Sequence, residues 1–155
     1  MKLIQSTIFL LALCSSLTLA EPVSASQWDD QIDAWSKELP SVSKADIPKL
    51  EASADGGDVR SAYLLYLIAN RPVYGWTSPK VYPWMQAIAK AGNPIGMLAL
   101  CYLLREGVIG VAKNEARAFE QCLAGAQMGF GSAMNATAYH YLTGRSEERR
   151  VGKEC

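Results

Sequence analysis

Residues 107–129 read GVIGVAKNEARAFEQCLAGAQMG. Gly107 and Gly110 open the stretch as loop glycines, and Gly129 closes it where a helix end calls for a left-handed residue. The small residues Ala118, Gly125 and Ala126 between them allow a partner helix to approach closely. The stretch therefore reads as a loop followed by a helix that packs against another helix.

Working outward, the same plan recurs on both sides. GNPIGMLALCYLLREG runs from Gly92, GFGSAMNATAYHYLTG from Gly129 and GDVRSAYLLYLIANR from Gly57, so the opening glycines stand 35 and 37 residues apart. PWMQAIAKAG ends at Gly92 and a degenerate PKLEASADGG ends at Gly57. The unit is about 36 residues with two apolar, alanine-rich helical segments, and self-similarity on that period is the mark of a repeat architecture. Leu65, Ile68 and Ala69, and likewise Leu100, Leu103 and Leu104, recur at helical spacing. Ser78-Pro79 predicts a helix start, with Pro83 expected to delay or kink it. Ala89 is a further small residue suited to close helix packing.

These units resemble the Sel-1-like repeat, a relative of the tetratricopeptide repeat. The resemblance covers roughly residues 45–144 and is strongest in the stretch quoted first. Gly110-Val111, Ala118 and Ala126 match the family pattern. Asn114 replaces the usual acid, Gly125 replaces the first alanine of the pair, and the loop glycines are one residue further apart than usual. The earlier unit keeps Trp84 and Ala89 but its loop NRPVYGW lacks the glycine pair, and the third keeps Ala133, Tyr141 and Gly144. The resemblance implies an all-α fold, a right-handed α-solenoid of antiparallel helix pairs.

Both ends read differently from the repeats. MKLIQSTIFLLALCSSLTLA has a charged start, an apolar run too short for a bilayer and small residues before Glu21, so residues 1–20 are expected to be a signal peptide. Lipid attachment at Cys14 is the alternative, disfavoured because Leu13 is not small. The tail RSEERRVGKEC, residues 145–155, resembles codon for codon the translation of a short-read sequencing adapter and is expected to be artefactual, with no stable structure. The third unit would then be cut short, leaving Ala133, Ala136, Thr137 and Tyr141 facing a missing helix.

The whole chain carries 15 Lys+Arg against 15 Asp+Glu, and residues 21–144 carry 10 against 12. Neither balance suits a nucleic-acid binder, which shows a basic excess. Residues 21–44 are expected to form a linker and a helix in which Trp28, Ile32, Trp35 and Leu39 make one apolar stripe. Ser26 and Asp29 have the spacing of a capping box. Two readings of that helix stand: a cap over the first repeat, which repeat arrays need, or a partner-binding helix. Asp29, Asp30 and Asp33 are expected on its solvated side.

No catalytic constellation is evident. His140 is the single histidine, and it reads as structural or exposed. GVIGV and GFGSA lack the Lys-Ser/Thr ending of a phosphate loop. No catalytic, metal or cofactor residues are expected, and the chain is expected not to be an enzyme. Hydrolase activity toward β-lactams is attributed to cysteine-rich members of the family, but those carry a cysteine pair in every repeat. In this repeat class the positions of Cys101 and Cys122 face each other across a helix pair, which implies a disulfide; two buried small hydrophobes is the other reading.

The resemblance also implies a concave face, lined by the first helix of each unit, on which partners bind. Mapped here, that face holds Tyr63, Asn70, Arg71, Tyr102, Arg105, Asn135 and Tyr139, and tyrosine and arginine are frequent interface anchors. The expected role is a periplasmic or secreted protein–protein adaptor or regulator, with an immunity protein against a toxic effector as the narrower alternative. The partner is another protein of unknown identity, with no nucleic acid and no membrane span.

Overall fold

The computed structural model describes residues 25–144, so the expected leader with Cys14 and the expected artefactual tail lie outside the described residues. The described residues form seven α-helices and no strand: α1 (Ala25–Glu38), α2 (Ile47–Asp55), α3 (Val59–Ala69), α4 (Val81–Lys90), α5 (Pro94–Glu106), α6 (Glu115–Gln127) and α7 (Gly131–Leu142). The protein is all-α, as the periodicity predicts. None of these helices is long and apolar enough to cross a membrane.

The punctuation works as the sequence reading requires. Gly57, Gly92 and Gly129 have φ of 90°, 82° and 82°, each just past a helix end. The Asn93 side chain accepts from the Ile95 amide at 2.9 Å, and the Asn114 side chain from the Arg117 amide at 2.9 Å. Asn114 caps α6, because its side chain supplies the oxygen that a bare helix start needs. In the loop between the helices α5 and α6, Ile109 is itself left-handed at φ 57°, between Gly107 at 69° and Gly110 at 73°. The start predicted at Ser78-Pro79 is corrected: α4 begins two residues later, at Val81, with Lys80 rather than Ser78 at its N-cap. Pro83 sits in its first turn, where its missing amide hydrogen would have had no helical partner.

Each of the helices α2 to α7 packs on the next along the chain, and α3, α5 and α7 also touch in succession. Leu64, Leu65, Ile68, Met85, Ile95, Leu103 and Ala118 fill the spaces between them with almost no exposed surface. The helices α4 and α5 approach closely at Gly96. A Cβ built there would stand 2.5 Å from the Ala89 nitrogen and 2.9 Å from the Met85 carbonyl oxygen. Asp55 at the end of α2 accepts from Lys80 Nζ and from the Trp84 indole, both at 2.9 Å. Those two donors hold its carboxyl below the usual carboxylate range, the Lys80 bond first.

The helix α1 departs from expectation. It touches α3, α5 and α7, and so reaches well beyond the first repeat. Its stripe does face the core, with Ile32 and Leu39 buried and Trp28 and Trp35 packed against it. Glu38 forms an ion pair with Arg60 of α3. Asp29, however, is not on a solvated side and does not serve its own helix, which already begins at Ala25. Its carboxylate accepts from the backbone amides of Gly131 and Ser132, both at 3.0 Å, and from the Ser132 hydroxyl. An acid from α1 therefore caps α7, whose own preceding residue is Phe130 with no capping oxygen. Asp30 and Asp33 are exposed, as expected.

One further expectation is corrected. Ala133, Ala136 and Thr137 do not face an empty side of α7; they are 0%, 4% and 7% exposed. The packing of α5 and α6 against α7 already covers them, whereas Tyr141, edge-on to Phe119 of α6 with ring centroids 5.2 Å apart, stays 39% exposed.

Replacing Asp29 with Ala is expected to cost about 1–2 kcal/mol, the upper part of the range for a lost N-cap, because two amides and a hydroxyl lose their acceptor. Amide exchange should quicken in α7 and α1 together, while α4 keeps its protection. Unchanged exchange in α7 would show that the cap contributes nothing.

Candidate functional site

The seven residues mapped to a binding face separate into groups. Tyr102 on α5 is half-buried, Arg105 lies one turn later, and Tyr139 on α7 is exposed. The structure brings these three together. The Arg105 guanidinium carbon lies 4.6 Å from the Tyr102 ring centroid and 5.2 Å from that of Tyr139. Arg105 Nε also donates to Glu106 at 2.7 Å, and the arginine side chain is only 15% exposed. Each cation–π contact contributes roughly 0.5–1 kcal/mol where water still reaches it. Two ring contacts and an ion pair restrict the guanidinium before any partner arrives.

Asn135 is exposed one turn before Tyr139 on α7. Asn70 and Arg71 are exposed at the end of α3, where the Asn70 amide donates back to the Tyr66 carbonyl at 3.0 Å. These three are not part of the arginine stack. Tyr63 is a correction: it was mapped to the open face, yet it is 6% exposed. Trp35 of α1 covers it with ring centroids 5.8 Å apart, and Ser36 hydrogen-bonds its hydroxyl. Burial raises the Tyr63 hydroxyl above the ordinary tyrosine range, and the Ser36 bond offsets part of that. Local sequence could not reveal this, because the covering residues come from a helix that precedes the repeats.

The cysteines are joined. Cys101 on α5 and Cys122 on α6 form a disulfide with Cα atoms 5.3 Å apart across a separation of 21 residues. His140, expected to be structural or exposed, is fully buried on α7 with its Nε2 3.8 Å from Cys101 Sγ. The Phe119 ring lies edge-on to its imidazole at 5.8 Å. A cleft of about 450 Å³ opens elsewhere, between the start of α4 and the α5–α6 loop. Tyr82, Lys113 and Arg117 bring polar groups to its lining, and Lys113 pairs with Glu115 at 2.9 Å.

Comparison with protein-family models, with curated proteins and with solved structures finds no match for this chain.

Proposed function

We propose that this chain is an exported Sel-1-like repeat protein, a right-handed α-solenoid of antiparallel helix pairs, acting as a protein–protein adaptor or regulator in the bacterial envelope. The observation that carries the adaptor reading is the Tyr102–Arg105–Tyr139 stack, which joins α5 to α7 and leaves Tyr139 44% exposed. Arginine and tyrosine dominate the few residues that supply most binding energy at interfaces, and a pre-oriented anchor loses little freedom on binding. The solenoid reading is supported by helix starts at Val59, Pro94 and Gly131, which keep the spacing of the repeat glycines. In this reading residues 21–44 supply the linker and cap, residues 45–144 the repeats, and the protein works in the periplasm or outside the cell.

A photo-crosslinking amino acid at position 139, with a second at Lys90 as a control on exposed surface of α4, tests the proposal in cells. A discrete protein adduct is expected from position 139 and none from 90. Arg105→Ala should weaken binding of the captured protein by roughly 30-fold, the loss of about 2 kcal/mol expected of an anchor. Identical adducts from both positions would remove the case for this surface. Turnover of a β-lactam by the purified chain would replace the adaptor reading with an enzymatic one.

A further inference from the structure

Three helices each send one metal-ligating side chain to the same interior point. Cys101, Cys122 and His140 are all 0% exposed, and their ligand atoms lie within 4.8 Å of one another. In a tetrahedral centre with bonds of about 2.3 Å to sulfur and about 2.0 Å to nitrogen, the sulfur–nitrogen edge is roughly 3.6 Å. The Cys101 Sγ to His140 Nε2 distance of 3.8 Å is already close to that edge. The cysteine Cα atoms, 5.3 Å apart, are near enough for two separate thiolates to reach one ion. Two thiolates and an imidazole make a soft donor set.

We propose that the dithiol form of this protein holds one soft d10 cation, zinc(II) or copper(I), at Cys101, Cys122 and His140. Disulfide and metal are then alternative occupants of a single site. A dithiol reductant opens the site: its two thiols give up two electrons and two protons and close to a disulfide, and Cys101 and Cys122 become thiols. The arriving cation displaces those two protons to solvent and takes an electron pair from each thiolate and one from neutral His140. With zinc(II) the centre is uncharged, which suits a buried location, and water supplies a fourth ligand. With copper(I) the three soft ligands complete the shell and one negative charge remains. Cys101, Cys122 and His140 lie on α5, α6 and α7, so the ion joins three helices.

The test uses the full chain carrying Cys14→Ser and Cys155→Ser, so that the only thiols are the two in question. The protein is reduced with a dithiol, desalted without oxygen and titrated separately with zinc(II) and copper(I) against a chromophoric chelator. One equivalent of one of these metals is expected on the reduced protein and none on the oxidised protein; the arm that saturates identifies the ion. X-ray absorption should find two sulfurs and one nitrogen around it. His140→Ala should weaken binding by at least the roughly 10–100-fold seen when supporting groups alone are removed. Should that variant fail to fold, the comparison of reduced with oxidised protein and the nitrogen in the absorption spectrum still decide. Retention of neither metal, equal retention by the oxidised protein, or a shell of sulfur without nitrogen overturns the proposal.

Discussion

Reduction of the Cys101–Cys122 disulfide, without metal, is expected to lower the stability of the protein by about 3 kcal/mol. The bond closes a loop across a separation of 21 residues, and restricting the unfolded chain by a loop of that size removes entropy worth about that much. The loop spans the α5–α6 turn, and because the bond acts on the unfolded chain the loss is felt by the whole cooperative fold. A shift of roughly 10 °C in thermal midpoint corresponds to this change in a domain of this size. Unfolding the same protein with and without reductant measures it, with intact mass and alkylation under denaturing conditions confirming the bond. In the chain carrying Cys14→Ser and Cys155→Ser, two alkylated cysteines without reductant would mean that Cys101 and Cys122 are merely packed together. Equal midpoints would mean that the closed loop adds nothing.

Gly96→Ala is expected to cost about 2–3 kcal/mol, near the top of the usual range for overpacking. Two effects oppose each other at this position. Alanine in a helix interior gains roughly 0.5–1 kcal/mol over glycine through the entropy of the unfolded chain. Against that, the new methyl would meet the Ala89 nitrogen at 2.5 Å, the Ile88 Cγ2 at 2.8 Å and the Met85 carbonyl oxygen at 2.9 Å. Two of those atoms belong to the backbone of α4, so relief requires α4 and α5 to separate, and the clash wins. Gly125→Ala provides the comparison. Its methyl would meet the Ala133 side chain at 3.0 Å and nothing else closer than 3.7 Å, so a smaller loss is expected. Denaturant unfolding of both variants checks the ranking. A neutral Gly96→Ala would show that the two helices are further apart than described.

Much of the fold is legible because its signals are local. Gly92 and Gly129 sit where their left-handed conformations end helices, and Leu65, Ile68, Leu100, Leu103 and Leu104 recur at the spacing that buries one face. Gly125 is recognisable in the sequence as a close-packing residue, whereas Gly96 is not, since nothing in PIGML tells which side of the helix meets α4. The candidate site was legible only in part. Tyr102, Arg105 and Tyr139 follow from the repeat register, because equivalent positions of neighbouring units come together. Tyr63, mapped to the same face, lies beneath Trp35, and Asp29 serves an amide 102 residues away. His140 reads as one polar residue on a helix, and its place beside the cysteines depends on how α7 docks on α5. Pairings across such distances leave no periodic trace.

The bond from Asp29 to Gly131 bears on how the chain reaches its fold. Arrays of helical repeats gain their contacts from near neighbours, which permits assembly to begin at several points and spread. A low average sequence separation of contacts also goes with fast folding. Here α1 must meet α7 across a separation of 102 residues, and the entropy of closing so long a loop is lost before the contact returns any energy. The junction is therefore expected to form after α3, α5 and α7 have come together, which would show as exchange protection of α1 arriving last during refolding. Once formed, it couples the two ends of the described fold. The molecule should then open as one cooperative unit, where a simple array would shed helices from its ends.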